Sequence, residues 1–122
     1  MSNKTISIVV PAYNAEKTIK RCLDSIIEQT ISNFKVYVVN DGSTDSTAKI
    51  LDNYKSDRRF NIIHISNSGV SIAINKALGL VETDYVTFID SDDYVDKNYL
   101  QDLIGGFVNE DIDMVATDRK YL

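Results

Sequence analysis

Apolar residues along the chain gather in short, dense runs at Ile6–Val10, Phe34–Val39, Phe60–Ile65 and Tyr85–Ile89. Runs of this length, rich in β-branched and aromatic residues and bounded by turn formers, predict buried strands. Between them the apolar positions recur every three or four residues, which predicts helices. Ile19, Leu23, Ile26 and Ile27 mark a first helix reaching about Gln29, and Ala48, Leu51 and Tyr54 point inward from a second. Val70, Ile74, Ala77, Leu78 and Val81 mark a third helix; Leu100, Leu103, Ile104 and Phe107 mark a fourth. Residues 113–117 read as a fifth strand.

Local signals refine these boundaries. Pro11, the single proline, has no N–H for a ladder and holds its predecessor extended, so the first strand is expected to stop there. Asn14 then reads as the N-cap of the first helix, with Glu16 in its first turn, and Asp96 as the N-cap of the fourth. Gly105-Gly106 weakens that fourth helix by roughly 1 kcal/mol per glycine and predicts a kink or an early end.

Strand and helix alternate with short connections, the pattern of a parallel sheet covered by helices on both faces. The expected class is α/β, a three-layer α/β/α sandwich around a mostly parallel, Rossmann-like sheet. Its 122 residues make one domain. In such sheets ligands bind outside the carboxyl ends of the strands, where strand order reverses. The loops Pro11–Asn14, Asn40–Asp45 and Asp90–Asp93 all fall on that edge.

Composition narrows the partners. The chain is 43% apolar, which supplies a core, and 25% charged, with a net charge of −5. Its basic residues are scattered, unlike the clustered Lys and Arg of a duplex-binding surface, so nucleic acid is not an expected partner. The single cysteine, Cys22, excludes an internal disulfide, suits a reducing compartment, and reads as a buried inert thiol. No run approaches the ~18–20 apolar residues of a membrane span and no signal peptide opens the sequence. The expected location is cytoplasmic, or peripheral at the inner face of a membrane.

The sharpest candidate chemistry is Asp90-Ser91-Asp92-Asp93, placed where the fourth strand must stop. An ionised Asp within the core would cost several kcal/mol, so these carboxylates project from the carboxyl edge of the sheet. Hard oxygen ligands there suit Mg²⁺ or Mn²⁺, ions that usually arrive with phosphates. An acidic loop that merely caps the next helix is the alternative, for Asp93 and Asp96 above all. Tyr13 directly follows the first strand, so its ring can lie over a nucleobase or simply pack. Asp41 ends the second strand: it can accept a pyrimidine imide N–H or a ribose hydroxyl, or serve the turn signalled by Asp-Gly. Ser43, Thr44 and Asp45 read as helix caps, and His64, mid-strand, as structural.

Competing motifs are missing. There is no P-loop, no dinucleotide fingerprint, no nucleophile elbow and no Cys/His set for zinc. A calcium loop beginning at Asp90 fails at Tyr94 and Val95.

Four segments, Val10-Pro11-Ala12-Tyr13-Asn14, Val39 to Asp45, Asn67-Ser68-Gly69-Val70-Ser71 and Phe88 to Asp93, together resemble glycosyltransferase family 2 in order and spacing. The resemblance implies the GT-A nucleotide-diphospho-sugar-binding fold and an inverting, metal-assisted hexosyl transfer to an acceptor hydroxyl. Surface polysaccharide or glycan synthesis is the implied setting. The nucleotide-sugar-binding set it implies is Pro11, Ala12, Tyr13, Asp41, Gly69, Asn75, Asp90 and Ser91, with Asp92 and Asp90 as ligands of Mn²⁺ or Mg²⁺. A UDP-sugar is the favoured donor and a glycan or lipid-linked molecule the acceptor. Two positions depart from the family pattern: Asn40 stands where an acid is frequent, and Ile74 where many members carry Arg beside Asn75.

The chain is also about half the usual domain length, which implies a donor-binding half truncated after about five strands. The catalytic base is then unknown and expected beyond Leu122, and apolar surface left bare would seek a partner, a second copy included. Two alternatives stand beside transfer. One is a nucleotide-binding module without turnover. The other is a haloacid-dehalogenase-like phosphatase using Asp90 and Asp92, although that motif normally opens its domain.

Overall fold

The computed structural model describes residues 5–110 and 120–121. Strands β1 (Ile6–Ala12), β2 (Phe34–Asp41), β3 (Phe60–Ile65), β4 (Tyr85–Phe88) and β5 (Lys120–Tyr121) alternate with helices α1 (Ile19–Ile27), α2 (Thr47–Asp52), α3 (Val70–Leu78) and α4 (Tyr99–Glu110). The strands form one sheet in the order β3-β2-β1-β4-β5, and every pairing is parallel. The α/β architecture is therefore the expected one. The strand expected over 113–117 and the Phe107 side chain lie outside the described residues.

The centre of the sheet explains why its strands are apolar without interruption. β1 pairs with β2 on one edge and β4 on the other, and core clusters under helices cover both of its faces. Ile6, Ile8, Val10 and Ala12 join Phe34, Val36 and Val38 beneath α1, α2 and α4, whose Leu23, Ile26, Leu51 and Leu100 are fully buried. Val9, Val39 and Val86 line the opposite face, against Ala73 and Ala77 of α3. Those two alanines let the α3 backbone approach the sheet closely.

Several local readings are corrected. β1 does not stop at Pro11 but runs to Ala12, with Pro11 opposite Val39. Val9 accepts the Ile89 N–H, so alternate residues of β1 face β4; Pro11 faces the same side, beyond the point where β4 ends. Its missing donor leaves no gap in the ladder. Asn14 is not a helix cap: it adopts a left-handed conformation (φ 48°), and α1 begins after Thr18. Gly105-Gly106 does not end the helix early, because α4 continues to Glu110. Val70 does open α3, as expected, and is 58% exposed there.

Candidate functional site

Chain order and sheet order part company at β1. From β1 the chain steps outward to β2 and β3, then returns to place β4 on the other flank of β1. Such a reversal leaves a crevice at the carboxyl ends. A cleft of about 570 Å³ lies there, lined by the Pro11–Ala15 loop and Thr18, by Asp41, by Asn67, Gly69, Val70 and Ala73, and by Asp90, Ser91 and Asp92.

The first two walls are bound to each other. Asn14 donates its N–H to Ser43 Oγ at 2.9 Å, while its side-chain oxygen accepts the Thr44 N–H at 2.8 Å. Ala15 N–H reaches Thr47 Oγ1 at 2.8 Å, and the Glu16 carboxylate accepts the Ser46 N–H at 3.0 Å. Ser43 and Thr44 thus anchor the β1 loop, a role beyond helix capping; Asp45 does cap locally, accepting the Thr47 N–H at 2.9 Å. This lattice leaves the Tyr13 ring 52% exposed at the mouth of the cleft.

Asp41 lines the cleft from the end of β2. It is only 5% exposed, and its two carboxylate oxygens accept the N–H groups of Ser68 at 2.7 Å and Gly69 at 2.9 Å. Its backbone carbonyl accepts from Asn67 Nδ2 at 3.2 Å. Asp41 therefore shapes the third wall as well as lining the cleft. Gly42 lets the two loops touch: it sits at φ +69°, and a Cβ there would lie 2.4 Å from the Asn67 nitrogen. Neighbouring Asn40 bonds through Nδ2 to His64 Nδ1 at 3.0 Å and accepts the Ser43 N–H at 3.2 Å, so His64 serves the β2–β3 edge and is not in the cleft.

The fourth wall is acidic. Ile89 is buried and its N–H is fixed to Val9, so the chain turns out at Asp90 and exposes Asp90, Asp92 and Asp93. One carboxylate oxygen from each lies within 4.8 Å of the others. Three hard oxygens at this spacing suit a small divalent cation with little side-chain movement. Asp93 joins this cluster, although capping the next helix was the alternative for it; Asp96 instead accepts the Asn98 N–H at 2.9 Å ahead of α4. Cys22 lies directly beneath. Burial, reinforced by the negative charges of Asp93, Asp92 and Asp90, pushes its thiol up to about 12, so it stays a neutral thiol.

Of the residues singled out from sequence, Pro11, Ala12, Tyr13, Asp41, Gly69, Asp90, Ser91 and Asp92 converge on this cleft. Asn75 does not: it is exposed on α3, away from the lining. Asn14, Ala15, Thr18, Asn67, Val70 and Ala73 line the cleft without having been named as ligand-binding residues. Asn14, Asn67 and Val70 stand in the family-like segments, whereas Ala73 has no sequence signal beyond its nearness to Gly69.

With this geometry in view, similarity to known proteins is specific. The profile of Glycosyl transferase family 2 matches residues 7–121, and the chain belongs to that family. Glycosyltransferase GlyA of Streptococcus pneumoniae serotype 4 is 41% identical over 112 residues, 91% of this chain and 16% of GlyA. Chondroitin synthase of Pasteurella multocida is 34% identical over 106 residues, covering 86% of this chain and 11% of the synthase. S. aureus TarS in complex with UDP-GlcNAc superposes with a TM-score of 0.81 at 36% identity, over 86% of this chain and 31% of that one. The fold is thus the GT-A glycosyltransferase fold, and the chain spans less than a third of each of these relatives.

Proposed function

We propose that this unit binds a nucleotide-diphosphate sugar, a UDP-sugar by preference, in the cleft at the ends of β1, β2 and β4. The whole protein would transfer the sugar, with inversion, to the hydroxyl of a glycan or lipid-linked acceptor during polysaccharide synthesis. The observation that carries this reading is that one cleft is lined by an exposed aromatic ring, Tyr13, by Asp41, and by Asp90 and Asp92 of the acidic cluster. The UDP-GlcNAc bound by TarS supports the choice of donor.

Roles follow from position. Tyr13 offers a ring face to the base, and the loop ordered by Asp41 closes the base pocket with the Gly69 backbone and Val70. Asp90 and Ser91 meet the ribose or sugar. Asp92 and Asp90, with Asp93 beside them, would hold Mn²⁺ or Mg²⁺; such a cation supplies charge neutralisation for a leaving diphosphate. An acceptor hydroxyl needs a general base, for which the described cleft offers no separate assignment.

No helix of the described residues is long and apolar enough to cross a membrane. We place the protein in the cytoplasm or at the inner membrane face, where nucleotide sugars are available. Family membership leaves the phosphatase alternative without support.

The test is a thermal-shift series with UDP, GDP, TDP and CMP, with and without Mn²⁺, on this chain and on Asp92→Asn. A ligand that binds only the folded state raises the melting temperature. A metal-dependent rise with one diphosphate, lost in the variant, is the expected result; no rise with any nucleotide would sink the reading.

A further inference from the structure

The acidic cluster is gripped from beneath by side chains that the proposed reaction does not touch. Cys22, Ser25 and Gln29 are spaced three and four apart along α1 and the turn that follows it, so they share one face. Each reaches the backbone of the segment carrying the carboxylates. Cys22 Sγ lies 3.6 Å from the Asp90 carbonyl oxygen, and Ser25 Oγ accepts the Val95 N–H at 3.1 Å.

Gln29 does the most. Its Nε2 donates to the Asp96 carbonyl at 2.6 Å and to the Ser25 carbonyl at 3.1 Å, and its Oε1 accepts the Leu100 N–H at 2.9 Å. At 8% exposure the amide is buried, and both its ends are used. A buried amide is tolerated because it is bonded, and its partners are fixed in turn. Next to it, the Thr30 N–H donates to the Lys97 carbonyl at 2.9 Å.

The segment from Asp90 to Leu100 therefore has two supports. Upstream, the Ile89 N–H is tied to β1; downstream, Ser25 and Gln29 tie Val95, Asp96 and Leu100 to α1. Between these supports the carboxylates carry like charge, and the turn that bears them is closed only by its backbone, the Asp93 N–H donating to the Asp90 carbonyl at 3.0 Å above Cys22. Where the turn stands over α1 is set by its two ends.

We propose that Gln29 is a positioning residue for the cation site, holding the Asp90–Asp93 turn at the spacing one divalent ion requires; this rests on the reading of Asp90 and Asp92 as cation ligands. Outer-sphere supports of this kind typically change metal affinity about 10–100-fold when removed.

The experiment titrates Mn²⁺ alone, followed by electron paramagnetic resonance of the free ion, into the wild type, Gln29→Leu, Ser25→Ala and Leu51→Ala. Amide hydrogen exchange is measured on the same proteins. Leucine keeps the volume of Gln29 but removes its bonds to the Asp96 carbonyl, which retains the Tyr99 N–H, and to the Leu100 N–H. Mn²⁺ affinity is expected to fall about 10–100-fold in Gln29→Leu and several-fold in Ser25→Ala. Exchange should rise over 90–101 and stay unchanged in β1 and β2. Leu51→Ala, a core truncation remote from this stripe, should lower stability without moving Mn²⁺ affinity.

Unchanged Mn²⁺ affinity in a folded Gln29→Leu overturns the proposal. So does an equal loss in Leu51→Ala, which would make the effect one of general stability. If Gln29→Leu does not fold, Ser25→Ala decides alone, and unchanged affinity there overturns it. A wild type that binds no Mn²⁺ removes the cation reading itself and this inference with it; a wild type that binds, beside variants that bind equally, removes this inference only.

Discussion

The carboxylate of Asp41, at the last position of β2, accepts the N–H of Gly69, the residue that opens α3, at 2.9 Å. The same carboxylate takes the Ser68 N–H, so one side chain ties the end of one strand to the start of a helix beyond the next. Bonds to a charged acceptor contribute about 1.5–3 kcal/mol. Asp41→Ala should lower unfolding stability by about that amount, read from urea melts, and should release the 67–69 loop so that nucleotide affinity falls too.

Gly42 makes that connection sterically allowed. Alanine there meets both a positive φ and the Asn67 backbone, whereas at Gly69 (φ +100°) no atom lies within 4 Å of the added Cβ. Gly42→Ala should therefore cost more than about 1 kcal/mol, and more than Gly69→Ala in the same urea series.

Tyr13 offers the opposite behaviour. Its ring is half exposed and buries little on folding. Tyr13→Ala should change stability by less than about 0.5 kcal/mol while removing about 1–3 kcal/mol of base stacking. Calorimetric titration of the preferred nucleotide would measure it; undiminished affinity would displace Tyr13 from the base pocket.

Asp92→Asn should separate binding from stability. Removing one of three clustered negative charges relieves repulsion, so the ligand-free variant should melt slightly higher than the wild type. The stabilisation by Mn²⁺ with nucleotide should vanish. A variant that melts lower without ligand would mean that the cluster is not repulsive.

Cys22 gives a pH prediction. Its thiol in the folded protein is pushed up to about 12, above the usual value of about 8.5 for an unfolded chain. Folding thus favours the neutral form: this contribution is intact below about pH 8.5 and is lost as pH climbs toward 12. At pH 8 iodoacetamide should alkylate native Cys22 about 10³-fold more slowly than the unfolded chain. Equal rates would place the thiol outside the core.

How far the sequence reaches is visible residue by residue. Ile6–Val10, Phe34–Val39 and Tyr85–Phe88 announce strands because a sheet covered on both faces needs apolar residues at every position. The acidic turn is legible for the converse reason: Asp90 and Asp92 can only stand where the core ends. Pro11, Tyr13, Asp41 and Gly69 were legible as a group through family-like spacing. Asn14 was misread as a cap, because a left-handed turn leaves no periodic trace.

The sequence by itself determined the alternation of strand and helix, the class of the fold, and the strand ends at which chemistry can appear. Those are consequences of burial, which acts locally on each residue and so is written in the order of residues. Only the tertiary structure decided that β4 lies beside β1, that Asp41 holds Gly69, that Asp93 joins Asp90 and Asp92, and that Gln29 supports their turn. Each depends on directional hydrogen bonds or close approach between segments far apart in the chain, whose geometry exists only once the sheet has brought them together.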